Sequence, residues 1–592
     1  MFKGHPKGLI VAFFANMGER FGFYTMMAIL ALFLQAKFGM TVSKAGDIYS
    51  WFYFSIYGLA LVGGILADAS KKYKTVILFG QIIMFAGYVV MALPGLSLGI
   101  TLAGLFTIAL GNGLFKGNLQ AVVGQMYDDP KYEKLRDSAY MFFYMGINVG
   151  AFFAPFAATG IRDWWLKTNG FAHDASLPEL CHQLLDGKLA DTSQIQQLAN
   201  QVSLSGPVSN LHDFATTYLD VFSRGYNYAF GVAAVAMVIS LLVYVFFSKK
   251  LPNKEKAANE KTISITEKPL AIPVALIGAA VVTIGISLLK NIATGLAFGL
   301  FAAFVLWIIG ISTKEEKPRV TALVMVFLVV IFFWMSFHQN GLTLTFFARD
   351  YTVKMVDPVT IMFFKLGNIL TVIGFIAGLF MVIGKKKQRN TRLAGGGLIL
   401  VGGVAGYLLY RQGQPQNPIA PEVFQAFNPM YIVALTLPVM AFFAWLAARK
   451  KEPSTPRKIG YGMIIAAAAF LVMLVGSLNL PAPGSMSQPL EEAHRVMPYW
   501  LMSTYLVLTI AELFLSPMGL SFVSKVAPVR FQGLMQAGWL LATAAGNKLL
   551  FVGSTFWGKV ELWQLWLIFI GLCLISAAFI FSIMRRLERI TS

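Results

Sequence analysis

Apolar runs recur along the chain from residue 9 to residue 584, separated by short polar stretches. Each run is about long enough to cross a ~30 Å hydrocarbon layer as a helix. A helix also leaves no backbone polar group unpaired in lipid. The pattern predicts spans over 9–35, 47–68, 74–94, 97–124, 137–158, 226–248, 270–289, 292–311, 320–347, 358–383, 393–410, 429–449, 458–480, 497–524, 531–555 and 562–584, about sixteen in all. Each is read as a helix.

The polar stretches alternate in charge. KKYKT (71–75), DDPKYEKLRD (128–137), KKLPNKEKAANEK (249–261), TKEEKPR (313–319), KKKQRNTR (385–392), ARKKEPSTPRK (448–458) and RRLER (585–589) are basic or dense in charge, whereas PGLSLG (94–99) and QGQPQNPIAP (412–421) are nearly free of Lys and Arg. A span wrongly added would invert this bias downstream, and no inversion occurs. The positive-inside rule therefore puts both termini in the cytoplasm.

The spans divide into two six-helix halves with added pieces. The N-terminal half is 1–248 and carries an outward-facing polar insert at 159–225, whose residues 176–203 suit one or two amphipathic helices. A cytoplasmic linker, 249–269, leads to a helical hairpin at 270–311. The C-terminal half is 312–592, with a second hairpin inserted at 358–410. Both hairpins are Gly-rich and almost uncharged within their spans, which suits packing on the outside of the bundle.

Composition narrows the class further. Hydrophobic residues make up 57% of the 592 and charged residues 13%, against about 25% charged in a soluble chain. The net charge of +20 does not mark a nucleic-acid binder, because the Lys and Arg residues lie in short clusters between apolar runs. Of the two cysteines, Cys573 falls in a span and Cys181 in a polar loop, so no disulfide is expected. Lys3 and Lys7 precede the first apolar run, but that run is too long for a secretion signal and contains Glu19 and Arg20. No HExxH, no well-partnered GxSxG and no cluster of metal ligands is present, so neither enzyme chemistry nor a bound metal is expected.

Charge inside a span is costly, so an ionisable residue there is a functional candidate. The first span holds Asn16, Glu19, Arg20 and Tyr24, mostly on one stripe of the helix. The fourth holds Lys116 in GNGLFKGN (111–118), the ninth His338 in FFWMSFHQNG (332–341), and the fourteenth Glu512 in TIAELFLSPMGLSF (509–522). Structural alternatives exist. Glu19 and Arg20 could pair locally, Lys116 could snorkel to the headgroups, and His338 could be a neutral imidazole bonded between helices. Glu512 is the hardest to read that way. Together these residues make a cavity with separate positive and negative poles, which suits a zwitterion.

Six motifs, in order, resemble the proton-coupled oligopeptide transporter (POT/PTR) family of the major facilitator superfamily. NMGERFGFY (16–24) resembles the family's ExxER signature and GNGLFKGN its fourth-helix lysine motif. FFYMGINVGAFFAP (142–155) resembles its fifth-helix FYxxINxG, and FQAFNPMYI (424–432) its NP motif. AELFLSPMGLSFVSKVAP (511–528) and GLMQAGWLLATAAGNKL (533–549) are similar to its tenth and eleventh helices. GGILADASKK (63–72) is similar to the superfamily's loop between helices two and three.

The resemblance implies an all-α major facilitator fold and import of di- or tripeptides across a bacterial inner membrane by alternating access, with a proton as coupling ion and no cofactor. It implies that Glu512, Asn148 and Asn428 hold a peptide's amino terminus, that Arg20 and Lys116 hold its carboxylate, that Tyr24 adds a donor, and that Trp539 lines the cavity. Glu19 with Lys116, and His338, would respond to protons. Three positions depart from the pattern: Asn16 replaces the first Glu of the signature, Met27 a first-helix Arg, and His338 a seventh-helix acid. The last two losses go together, because either charge alone would be buried unpaired. They also leave open a carrier of another small zwitterion or anion, or an uncoupled peptide carrier. A non-transporting receptor has no need of buried cavity charges. The expected partners are the peptide and the bilayer, with no nucleic acid; oligomeric state is not legible.

Overall fold

A computed structural model describes residues 4–132, 135–189, 191–252, 268–383, 389–486 and 489–591. Most of the expected linker (253–267) and part of the KKKQRNTR turn (384–388) lie outside the described residues.

The first half comprises α1 (Gly8–Phe38), α2 (Val42–Ser70), α3 (Tyr73–Ala92), α4 (Leu98–Gln125), α5 (Arg136–Thr168), the short α6 (Leu177–Leu185) and α7 (Ser193–Val202), and α8 (Leu211–Phe247). Local chemistry sets several ends. Gly39 takes a left-handed conformation that stops α1, and Thr41, Ser97 and Asn210 accept backbone N–H groups at the starts of α2, α4 and α8. A first hairpin follows, α9 (Ala271–Leu289) and α10 (Ile292–Ile311).

The second half comprises α11 (Lys317–Phe337), α12 (Thr343–Tyr351), a second hairpin of α13 (Leu366–Ile383) and α14 (Arg389–Gln412), then α15 (Phe427–Ala448), α16 (Thr455–Gly476), α17 (Tyr499–Val526), α18 (Gln532–Lys548), α19 (Phe551–Phe556), α20 (Leu562–Ser582) and α21 (Met584–Thr591). Two short strands, β1 (Met355–Val356) and β2 (Asn417–Pro418), pair antiparallel and close the base of the second hairpin.

Among the described residues fifteen helices are long and apolar enough to cross a membrane. Two of the expected spans are each built from two helices. The segment 320–347 is α11 and α12 joined by a 3-10 turn at His338–Gly341, and 531–555 is α18 and α19. The breaks face each other. The Gln339 amide donates to the carbonyls of Met335 (3.1 Å) and Leu550 (3.2 Å), so a side chain replaces part of the lost helical bonding, as irregular backbone at membrane depth requires. A Cβ on Gly341 would come within 2.2 Å of the Tyr49 hydroxyl, so only glycine admits that contact.

The polar insert is also shorter than 159–225. α5 runs on to Thr168 and α8 begins at Leu211, because Leu166, Phe214, Tyr218 and Phe222 extend an apolar seam beyond the membrane. Helices of 33 and 37 residues are about 50 and about 55 Å long, more than a ~30 Å core needs. Cys181 is not in a loop: it lies on α6, fully buried, and both cysteines are free.

In the first half α1 packs on α5 and α8, and α4 on α2 and α3; in the second, α16 packs on α17 and α20, and α11 on α18. The halves meet along α2 with α18 and along α5 with α15. This is the major facilitator fold. The hairpins pack mainly on themselves, with α10 leaning on α18, and α9 buries only Ala271 and Ala275. The start of α1 shares one face of the bundle with Met126 and Lys250, which crowd Gly8; at its other end Gly39 meets the His182 ring, so the opposite face carries α6 and α7.

Candidate substrate-binding site

The negative pole is Glu512, on α17 and buried. It accepts from the Tyr144 hydroxyl of α5 (3.2 Å) and the Asn428 amide of α15 (3.0 Å). Asn428 also donates to Thr509 Oγ1 at 3.0 Å, one turn before Glu512. Asn148 lies one turn from Tyr144 and donates to its carbonyl at 3.0 Å. One carboxylate is thus held by donors from both halves.

The positive pole lies on α1 and α4. Arg20 donates to its neighbour Glu19 through Nε (2.5 Å) and Nη2 (2.7 Å), and Asn112 of α4 adds a bond to Glu19 Oε1 at 2.7 Å. Nη1 of Arg20 makes no described hydrogen bond. One turn beyond Asn112, the Lys116 ammonium sits 3.8 Å over the Tyr57 ring of α2 with no carboxylate partner among the described residues, turned inward rather than snorkelling. Tyr24, one turn past Arg20, is within electrostatic reach of both Arg20 and Glu512. Trp539 is not in this group: its ring is buried on Phe327 and against Gly519, where a Cβ would collide with it.

His338 lies in the α11 break, away from Glu512 but within electrostatic reach of Lys116, to which the stacked rings of Tyr53 and Tyr57 connect it. Its Nδ1 pairs with Asn547 Oδ1 at 2.5 Å. The ring lies between Trp334 of its own half (4.8 Å) and Tyr53 of the other (4.7 Å). Met27 is buried in the first-half core.

Sequence reasoning overlooked several residues. Asn112, Tyr57 and Tyr144 touch the candidate residues, and the i, i+4 spacings Asn112–Lys116 and Tyr144–Asn148 were the available signal. A second group was out of reach. Arg162, at the end of α5, and Glu422, just before α15, form an ion pair with both side chains fully buried; Arg162 also binds Asp163, and Tyr226 donates to Glu422 at 3.1 Å. Nearby, Arg349 donates to Gln35 (2.9 Å), Gln425 to the Ala28 carbonyl (3.3 Å), and Lys354 to Asp174 (2.6 Å). These side-chain hydrogen bonds and ion pairs join the halves between Glu512 and the face that carries α6 and α7. That face is closed.

The family model for the POT family matches residues 73–405 and 416–562. The chain belongs to the POT family. It is a transporter, not an enzyme. Similar proteins include the uncharacterized transporter YclF of Bacillus subtilis, 25% identical over 93% of this chain and 87% of that one. The peptide transporter YePEPT of Yersinia enterocolitica is 25% identical over 92% and 87%, and dipeptide and tripeptide permease A of Escherichia coli is 24% identical over 92% and 83%. Among solved structures, peptide transporter POT in complex with sulfate aligns with a TM-score of 0.64 at 24% identity, covering all of this chain and 96% of that one. A POT family transporter in complex with 5-aminolevulinic acid aligns with a TM-score of 0.64 at 20% identity, over 100% and 98%.

Proposed function

We propose that this chain imports di- and tripeptides across a bacterial cytoplasmic membrane by proton-driven alternating access, with both termini in the cytoplasm and α6 and α7 outside. The observation that carries the reading is Glu512, one buried carboxylate fixed by Tyr144 of the first half and Asn428 of the second. A peptide ammonium bound there touches both halves at once. Its carboxylate would reach the free edge of Arg20 and the unpaired Lys116 ammonium, which donate to carboxylates. Asn148 and Tyr24 would complete the two ends. The names of the relatives support the substrate class.

Protons enter the reading through Glu19. While Glu19 is ionised, it occupies two donors of Arg20. A proton on Glu19 frees them for the substrate, and Lys116 is the neighbouring base. His338 is a second proton-responsive candidate, because its aromatic sandwich spans the halves. An uncoupled carrier is the alternative that Asn16, Met27 and His338 favour.

Uptake of a labelled dipeptide into proteoliposomes, with and without an inward proton gradient, tests the proposal. Gradient-driven accumulation is expected. Equilibration without accumulation would leave a peptide carrier without coupling, and absence of uptake would remove the peptide. Labelling of Lys188→Cys from outside and Arg389→Cys from inside tests the orientation.

A further inference from the structure

A groove of about 970 Å3 runs along the lipid-facing side of the bundle, away from Glu512 and Lys116. One wall is first-half: Met17 and Phe21 of α1, Phe153 and Phe156 of α5, Val232 and Ile239 of α8. The other wall is the base of the second hairpin, with Phe364 and Leu366, together with the segment Pro418–Ala420 beside it. The lining changes character along its length. From Val149 to Phe156 it is apolar, and at the end toward α6 and α7 it becomes Asp163, Lys167 and Lys365. Val149 to Lys167 is about 27 Å of helix at 1.5 Å per residue. One leaflet, half of a ~40–45 Å bilayer with headgroups, is about 20–22 Å thick.

Charge decides what fits. Lys167 and Lys365 are exposed and have no ion-pair partner among the described residues. Asp163 accepts from Arg162 Nε (3.0 Å) and Nη2 (2.8 Å), and Arg162 also pairs with Glu422. Summed over Arg162, Asp163, Lys167, Lys365 and Glu422, this end carries one net positive charge. An apolar trough open to the membrane with a cationic mouth at headgroup level matches one acyl chain beneath an anionic headgroup.

We propose that this groove is a binding site for an anionic phospholipid of the leaflet on the α6–α7 side, with an acyl chain along Phe153, Phe156 and Val232 and the phosphate between Lys167 and Lys365. The site gives the second hairpin a role, because the hairpin base supplies the second-half wall. A lipid seated there touches both halves and is remade whenever they rock. Free phosphate has no reason to occupy it, since the chain makes most of the contact.

The test uses the full chain in phosphatidylcholine nanodiscs carrying a trace of phosphatidylglycerol with a photoactivatable acyl chain; crosslinked peptides are mapped by mass spectrometry. Crosslinks are expected on α5 and α8, competed by unlabelled phosphatidylglycerol but not by phosphatidylcholine or inorganic phosphate. Lys167→Gln with Lys365→Gln should reduce capture about 25-fold, at about fivefold for each lysine near the surface. Arginine at both positions should retain it. A Cβ on Gly160 meets nothing within 4 Å, so Gly160→Phe fills the trough without touching the lysines and should abolish capture with the thermal midpoint unchanged. Equal capture of a phosphatidylcholine probe, competition by inorganic phosphate, or capture indifferent to both the lysine and the glycine changes would overturn the proposal.

Discussion

Glu512 is the residue on which recognition turns. Its two side-chain donors offset part of the cost of burying a carboxylate there. Glu512→Gln keeps the shape and removes the charge. Peptide affinity of the purified protein should fall by about 2–5 kcal/mol, as when one partner of a desolvated pair is truncated; equilibrium binding of a labelled dipeptide measures it, and unchanged affinity would remove Glu512 from the amine site. Tyr144→Phe takes away one donor and should cost less, about 1 kcal/mol. Glu512 and Lys116 were legible in the sequence because an ionisable residue in a span needs a reason. Asn112 and Tyr144 were harder to read, because a neutral polar residue in a helix signals only through its i, i+4 spacing from a candidate residue such as Lys116 or Asn148.

At the level of elements, the extended ends of α5 and α8 and the segment before α15 form the closure. Predicted spans ending at 158 and starting at 429 leave Arg162 and Glu422 in loops; their pairing across 260 residues has no local signature. The same holds for the helix breaks at His338–Gly341 and Leu549–Leu550, which tertiary contacts impose on runs apolar enough to read as continuous. Glu422→Gln should loosen this closure, because breaking a buried pair costs about 3–5 kcal/mol. Ala28→Cys, buried beneath it, should then react faster with an impermeant thiol reagent added outside, and an unchanged rate would separate the ion pair from gating. The insert adds a pH dependence. Burial, then Arg162, lowers the His173 pKa to about 4, against about 6.5 unfolded. Asp163, Glu422 and Asp174 oppose that shift without cancelling it. The unfolded chain therefore binds the proton first, and stability is lost as pH falls from about 6.5 toward 4. Asp174 adds nothing to this window: burial raises its carboxyl, but Lys354 and Ser176 outweigh burial and hold it at about 2. His173→Phe keeps the stack on Phe222 and should flatten the thermal midpoint between pH 4 and 6.5.

At the scale of the whole molecule, the proposed cycle has two halves rock about a central site; span count and charge alternation pointed to a polytopic helical bundle, and the motif resemblance supplied the major facilitator fold. What rocking does to His338 is the remaining test. Its ring is held by Asn547 and Trp334 of one half and covered by Tyr53 of the other. With the α6–α7 face closed, the ring is buried. In the proposed cycle, opening of that face would carry Tyr53 away with the first half while Trp334 and Asn547 stay, and one side of the ring would meet water. An imidazole with an unperturbed pKa near 6.5 would then meet the external proton concentration, which would tie access to protonation without an arginine at Met27. His338→Gln keeps a hydrogen-bonding side chain but cannot titrate. At matched protein levels it should lose most of the acid stimulation of dipeptide uptake while still equilibrating peptide, whereas Tyr53→Ala, which uncovers the ring, should shift the pH profile without abolishing it. If His338→Gln keeps both acid stimulation and gradient-driven accumulation, the histidine is a structural imidazole and coupling rests on Glu19 with Lys116 alone. In that case Lys116→Gln is the substitution that uncouples, because it removes the one base beside the Glu19–Arg20 pair.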